Sequence, residues 1–399
     1  MTYDIAIIGG GMVGGALAAA LHDSPFRIAL IDAAPKNTTM DHRLIALNHN
    51  SYCLLKNIGV WPALRAHAAA IHEVHVSHRY HFGSTRLTAA EVELPTLGYV
   101  LPACHIADAL SQQVNLLSHI TTYPETSVTD LTQTESDVVL TLSSGKPIRS
   151  HIVIAADGTY STVRDLLHIQ TETVDYQQRA LVTITQLSRD HQHIAYERFH
   201  SSGAIAMLPL TGQRVATIWT DQSDTIAALM ALPDAVFLKQ LQAQFGYRLG
   251  RLQHIAQRYT YLLKQIKAKQ QIDHRVMLIG NAAHTLHPIA AQGLNIAFHE
   301  IAVLVAALQN QSAQPLSLQN VHLSIPASKT SGMALSHSLT QLFSMDFFLI
   351  KIARQLGMVG LNLSHTLKKR FTRYAMNMTH SLPPLLSDKE CYDRTTPPY

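Results

Sequence analysis

The chain has 399 residues, 47% hydrophobic and 15% charged, with a formal net charge of +4 that its 24 histidines can raise at lower pH. This composition excludes a disordered chain, is long enough for two or three domains, and leaves room for sizeable apolar surfaces. No basic cluster is interleaved with aromatics, which argues against nucleic acid as a partner. Cys53, Cys104 and Cys391 are far apart and odd in number, which argues for a reducing compartment and against a CxxC site.

The first apolar run, Ile5 to Ile8, starts almost at Met1, so no signal peptide is expected, and no uncharged apolar run reaches the length of a membrane span. The expected location is cytoplasmic, or peripheral on the cytosolic face of the inner membrane. The run breaks into Gly9, Gly10 and Gly11, then into an Ala- and Leu-rich segment ending near His22. A second apolar run, Ile28 to Ile31, stops at Asp32. Strand, glycine turn, helix, strand and acid are the parts of a βαβ dinucleotide site. Gly9 permits the tight turn, Gly11 lets the backbone approach a pyrophosphate, and Gly14 lets the helix lie close to the strand. The helix N-terminus offers N–H groups to the phosphates, and Asp32 is placed to accept hydrogen bonds from a ribose.

After a polar loop closed by Arg43, the segment LIALNHNSYCLLKNIG reads as a helix, with Leu47, Leu54, Leu55 and Ile58 at helical spacing and Gly59 at its end. From Ile71 to Leu101, alternation and short runs predict strands. His105 to Leu117 predicts a helix, and TSVTDLTQTESDVVLTLSSG predicts a hairpin. Ile152 to Ala155 reads as a buried parallel strand ending at Asp157-Gly158, with Ser161 and Arg164 at the strand-to-helix junction. Residues 171–262 hold strand-like segments around a helical insertion between Asp221 and Leu249. Val276 to Ile279 is a further buried strand. It runs into Gly280-Asn281, a loop with Pro288 and Gly293, and a long helix from about Leu294. Beyond residue 326 the pattern is helical, with a basic cluster of Lys368, Lys369, Arg370 and Arg373. This reads as a helical cap on the core or as an amphipathic surface for a bilayer or a lipid-carrying partner. The Pro-rich end is expected to be frayed.

The motifs Gly9-x-Gly11-x-x-Gly14 with Asp32, Asp157-Gly158, and Gly280-Asn281 through Asn295 stand in the order found in the single-component FAD monooxygenases of the para-hydroxybenzoate hydroxylase type. The chain resembles that family over nearly its whole length. DHRLIALN, NIGVWPAL, IHEVHVSHR, ERF…AMLPL and GNAAHTLHPIAAQGLN are most similar to the ubiquinone-biosynthesis branch, and within it to the 2-polyprenyl-6-methoxyphenol hydroxylases. The resemblance implies an α/β fold. Its FAD-binding domain would be Rossmann-like, over 1–70, 100–170 and 263–325. A sheet-based substrate domain over 71–99 and 171–262 would be inserted in it, followed by a helical region over 326–385 and a tail over 386–399.

It also implies roles. Gly9, Gly11 and Gly14 line the FAD pyrophosphate, Asp32 holds the ribose, and Arg43 lies near the pyrophosphate and substrate. Asp157 and Gly158 contact FAD and take part in NAD(P)H handling. Asn281 touches the ribityl or pyrophosphate region, Pro288 sits beside the isoalloxazine, and Gly293, Leu294 and Asn295 offer backbone N–H groups to its pyrimidine edge. His284 and His287 are the titratable candidates for proton transfer. Met207, Leu208 and Pro209 are candidates for a substrate channel, and no metal is implied. Two positions depart from the family pattern: Asn281 replaces the usual Asp, and Ala291 replaces the Gly of the common G-Q-G. The implied reaction uses NAD(P)H to reduce FAD and adds O2 at flavin C4a, so that an oxygen atom reaches an electron-rich ring. Its implied partners are a polyprenylated phenol, O2, other ubiquinone-biosynthesis proteins and, peripherally, a membrane.

A plain NAD-dependent dehydrogenase would leave the second and third motifs unexplained. A flavin halogenase would need a W-x-W-x-I-P segment, whereas this chain has only Trp61 and Trp219, in other contexts. A sister hydroxylase acting at another ring carbon, a hydroxylase of a soluble aromatic and a non-enzymatic flavin-bearing scaffold remain as alternatives.

Overall fold

A computed structural model describes residues 1–35, 41, 43–79, 84–285, 292–311, 316–318, 364–376, 378 and 382–388. The chain opens with β1 (Thr2–Ile8), α1 (Met12–Ala20), β2 (Ile28–Ile31), β3 (Leu44–Asn48), α2 (His49–Asn57) and α3 (Trp61–Leu64). There follow β4 (Ala69–Ile71), β5 (Glu73–His78), β6 (Ser84–Thr88), β7 (Gly98–Pro102), α4 (Ala103–Asn115) and β8 (Ile120–Tyr123). The hairpin β9 (Val128–Gln133) and β10 (Val138–Leu142) leads to β11 (Pro147–Ala155) and α5 (Thr162–Leu166). Then come β12 (Thr171–Leu187), β13 (Ile194–His200), β14 (Gly203–Leu210), β15 (Arg214–Gln222), α6 (Ser223–Ala231) and α7 (Asp234–Phe245). The described chain closes with β16 (Leu252–Ile255), β17 (Tyr259–Ala268), β18 (Ile272–Asp273), β19 (Val276–Leu278), β20 (His284–Thr285), α8 (Gln292–Gln309) and α9 (His365–Ala375).

An eight-stranded sheet, in the order β18-β19-β11-β1-β2-β8 with the β9–β10 hairpin against β11, carries the motifs. Its centre is parallel: Ile5 pairs with Ile152 and Ile28, and Ala155 with Leu278. Parallel strands need cover on both faces, which is why β1 reads as an unbroken apolar run. Ile5 and Ile7 pack beneath α1, α4 and α8, while Ala6 and Ile8 face the hairpin and α5.

A nine-stranded sheet runs β20-β17-β12-β15-β14-β13-β5-β6, with β16 on β12. One face packs on α6 and α7 through Leu181, Met207, Trp219, Phe237 and Phe245. The other packs on a three-stranded sheet, β3-β7-β4, through Ala195, Leu208, Ala216 and Ile218 against Leu44, Ala46, Val100 and Ile71. The helix expected over LIALNHNSYCLLKNIG is therefore half strand. Leu44–Asn48 pairs with β7, and the helix starts only after Asn48, whose side chain accepts from the Ser51 N–H as an N-cap. The tail expected to fray also proves to be docked where it is described. Leu386 is buried, Asn57 donates to the carbonyls of Leu385 and Ser387, and Lys56 pairs with Asp388 at 3.0 Å.

The basic cluster lies on α9 and is partly spent within the fold: Lys368 pairs with Glu91 at 2.6 Å and Lys369 with Glu93 at 2.8 Å. Met376, just beyond α9, joins the core between the nine- and three-stranded sheets. Among the described residues no helix is long and apolar enough to cross a membrane.

His75 on β5 gives the protein a predicted acid limit. It is buried, its Nδ1 has no hydrogen-bond partner among the described residues, and its ring lies 5.4 Å from that of Tyr196. Burial, then the nearby Arg248 and Arg86, lower its pKa from 6.5 to about 4. The unfolded chain takes up this proton near 6.5 and the folded chain only near 4, so stability present above pH 6.5 is lost as pH falls towards 4. At about 1.4 kcal/mol per unit, the loss is on the order of 3 kcal/mol. Urea midpoints at pH 7 and pH 4.5 should diverge strongly for the parent and by less for His75→Leu; equal divergence would refute the assignment.

Candidate active site

The three motifs converge on the start of α1. Gly9 has φ 101°, and a Cβ there would lie 2.5 Å from the carbonyl oxygen of Ala156, so the glycine turn backs directly onto the end of β11. A Cβ on Gly14 would lie 1.8 Å from the Gly9 carbonyl oxygen, which shows how closely α1 lies on the turn. Asp32 sits beside Gly10, its Oδ2 only 2.8 Å from where a Gly10 Cβ would stand. From the third motif, Gly280 (φ 57°) reaches the Val13 side chain.

Asp157 accepts from the Val163 N–H through Oδ2 at 3.1 Å, while its buried Oδ1 has no partner among the described residues. Burial raises its pKa, opposed by bonds from Ser161 and the start of α5. Gly11, Gly158 and Gly293 all face open space. Open glycine backbone at a helix N-terminus, a carboxylate after β2 and an orphaned buried oxygen fit the pyrophosphate, ribose and polar linker of FAD.

Buried charges that periodicity alone did not single out lock this cradle. Arg164 donates to the Ala282 carbonyl at 3.1 Å and to the Thr159 carbonyl at 3.0 Å, tying the second motif to the third. Glu300, 2% exposed in the middle of α8, accepts from the Gly280 N–H at 3.0 Å, His284 Nε2 at 2.9 Å and Gln271 Nε2 at 3.1 Å. His284 is thus buried behind the Gly280 turn with Nε2 engaged, and its Nδ1 has no partner among the described residues. The lone acid among Phe298, Ile301 and Leu304 was a visible signal for Glu300.

Other expected site residues take varied places. The Asn295 side chain accepts from the Asn48 N–H (2.9 Å) and Ser51 Oγ (2.7 Å) and donates to the Ala46 carbonyl (2.9 Å), joining α8 to β3 and α2. Leu294 is half-buried against the helical core. Asn281 follows the Gly280 turn, and its carbonyl accepts from Thr285 Oγ1 at 3.4 Å. Arg43 is held by Asp41, Nε and Nη2 contacting the carboxylate at 2.9 and 2.6 Å, and this pairing raises the guanidinium pKa further. Met207 and Leu208 point to opposite faces of the nine-stranded sheet, Met207 into the core beneath α6 and α7 and Leu208 towards the three-stranded sheet; Pro209 pairs with Val215. His287, Pro288 and Ala291 lie outside the described residues. His49, Cys53 and Asp388 bring ligand-type atoms within 4.8 Å of one another, but the Lys56 ammonium on Asp388 opposes a cation there.

A parallel βαβ cradle with a second backbone approach from β11 and a third from the β19–α8 loop defines an FAD-dependent oxidoreductase. The signature described as the FAD binding domain matches residues 2–314. The ubiquinone hydroxylase UbiL of Rhodospirillum rubrum is 32% identical over 385 residues, covering 94% of this chain and 89% of that protein. The 3-demethoxyubiquinol 3-hydroxylase of Escherichia coli is 28% identical over 390 residues, covering 94% and 98%. The p-nitrophenol 4-monooxygenase PnpA of Pseudomonas putida shares the fold, with a TM-score of 0.76 at 15% identity over 95% of this chain and 100% of that one. The chain belongs to the FAD binding domain family, among the FAD-dependent monooxygenases that include the ubiquinone hydroxylases.

Proposed function

We propose that this enzyme hydroxylates the ring of a polyprenylated phenol, 2-polyprenyl-6-methoxyphenol, in ubiquinone biosynthesis. The observation that carries the reading is the near full-length match to UbiL at 32% identity. The Gly280-Asn281 sequence and the similar segments named above support this branch. The domain division given above accompanies the reading, with the nine-stranded sheet as the substrate side.

FAD, when bound, supplies electron transfer from NAD(P)H and the activation of O2. The chain's own residues bind and orient it. Gly9, Gly11 and Gly14 would admit the pyrophosphate to the N-terminus of α1, Asp32 would accept from the ribose, and Asp157 Oδ1 would accept from a polar group of the linker. Gly293, Leu294 and Asn295, at the start of α8, would present backbone N–H groups to the flavin's ring edge, where the partial positive charge of the helix terminus suits negative charge.

A second reading, the same chemistry at another ring carbon, is favoured by the likeness to the E. coli 3-demethoxyubiquinol 3-hydroxylase. The test is the quinone precursor that accumulates when the gene is deleted under aerobic growth. Build-up of 2-polyprenyl-6-methoxyphenol with loss of ubiquinone is expected. A precursor lacking a different hydroxyl would move the enzyme to the second reading, and unchanged ubiquinone would overturn both.

A further inference from the structure

Helix α9 has two unlike faces. Lys368 and Thr372 on the helix and Met376 just beyond it recur every fourth residue and are buried against the fold, with Thr372 Oγ1 donating to the Lys368 carbonyl at 2.9 Å. The Lys368 and Lys369 ammonium groups engage Glu91 and Glu93. The outward face carries Leu367, 56% exposed, and then Arg370, Phe371, Arg373 and Tyr374. Both arginines are exposed, and neither guanidinium has a hydrogen bond or an ion pair among the described residues. Arg373 acts on Glu93 only weakly, behind Lys369. Two of the four cations are therefore neutralised within the fold and two are not.

The two uncompensated cations share a cavity. It has a volume of about 530 Å³ and is lined by Arg370, Phe371, Arg373, Tyr374 and Met378. The turn after α9 completes it, because the Met378 N–H donates to the Arg373 carbonyl at 2.8 Å and so folds the chain back along the helix. Two guanidinium groups beside an aromatic and thioether lining suit an amphiphile. The forks match phosphate oxygens, and the apolar groups match hydrocarbon.

We propose that this face of α9 docks on an anionic bilayer, with Arg370 and Arg373 holding a phospholipid phosphate at the cavity and Leu367, Phe371 and Met378 entering the acyl boundary. Tyr374, with an apolar ring and a polar tip, suits the headgroup level. A helix of eleven residues is about 16 Å long and presents one such face, small beside the roughly 800 Å² per partner of a stable protein interface. A bilayer needs less, because a few apolar side chains and each nearby cation add to the binding. The inference goes beyond the hydroxylase reading and does not rest on it. A substrate with a prenyl tail partitions into the same bilayer, so docking there brings enzyme and substrate together.

The test is flotation of the full-length, FAD-loaded enzyme with vesicles of phosphatidylcholine alone or of phosphatidylcholine with phosphatidylglycerol. The parent should float with the anionic vesicles and not with the neutral ones, and high salt should release it. Arg370→Gln with Arg373→Gln should bind the anionic vesicles about 30-fold more weakly while keeping its FAD and melting temperature. Leu367→Gln should also weaken binding. Arg65→Gln with Lys239→Gln removes the same charge from exposed positions outside α9 and should bind like the parent. Parent binding that ignores vesicle charge or salt would overturn the inference without recourse to any variant. So would a parent that floats with neither vesicle, an α9 double variant that binds like the parent, or an Arg65 and Lys239 variant that loses as much as the α9 one.

Discussion

Gly14→Ala is expected to purify without flavin and to melt at a lower temperature, whereas Gly11→Ala should fold like the parent and lose flavin alone. The two glycines lie in one turn but meet different surroundings. A methyl group on Gly14 would stand 1.8 Å from the Gly9 carbonyl oxygen and 3.3 Å from Ile7 Cγ2, both parts of the rigid β1 turn. Helix α1 would have to lift from the sheet, disturbing its contacts with α4 and α8. Forcing extra volume into such packing costs about 1–3 kcal/mol and sometimes more.

Gly11 has φ −67° and ψ −167°, a conformation open to alanine, and its Cβ would meet nothing within 4 Å. The free space there is the pyrophosphate's approach to the helix N-terminus. A methyl group in it holds the phosphates off the N–H donors, and a penalty of roughly 3 kcal/mol weakens FAD binding by about 100-fold. Titration of apoprotein with FAD, followed by flavin fluorescence quenching, separates these effects when read beside thermal melts. Full FAD affinity in Gly11→Ala would mean that the cradle lies elsewhere.

The parts of the fold that repeat a local rule were legible in the sequence. The βαβ turn, the strands ending at Ala155 and Leu278 and the helix after Gly293 each follow from an apolar run bounded by glycine. The misread segment, Leu44 to Asn57, joins strand to helix without glycine or proline, so the apolar spacing of Leu47 with Leu54 resembled one continuous helix. The capping chemistry of Asn48 with Ser51 was the available corrective. Met207 and Leu208 were grouped as one lining although adjacent strand residues face opposite ways, a period-two argument open from the start. Arg164, placed by the sequence at a strand-to-helix junction but without a partner, and Glu300 belong to a different category. A lone charge in an apolar stretch can be seen in the sequence, but its partner, 118 residues away for Arg164 and Ala282, depends on which strands lie side by side. The same limit applied to Arg43, whose partner Asp41 was close in sequence but whose engagement depends on loop geometry.

Glu300 carries the second large expected effect. Three donors from the described residues reach its carboxylate: Oε1 takes His284 and Gln271, and Oε2 takes the Gly280 N–H. An acceptor-only group suits this arrangement, and no neutral side chain of the same shape does. In Glu300→Gln one end becomes an NH2 group that must face either the Gly280 N–H or the His284 and Gln271 donors, so at least one buried donor loses its acceptor. In Glu300→Leu all three do. Removing one side of a buried charge-assisted network costs about 3–5 kcal/mol, and Glu300→Leu should fall in that range with Glu300→Gln somewhat below it. The damage is local to the flavin cradle, because the Gly280 turn, held at φ 57° against Val13, loses the bond that fixes it. FAD content should therefore fall together with the melting temperature. A double-mutant cycle with His284→Ala apportions the effect: the two changes should be strongly non-additive, since each removes the other's partner. If His284→Ala hydroxylates normally per bound flavin while melting earlier, the histidine supports the turn; a collapse of product formation at full flavin occupancy would instead give it a role in proton transfer.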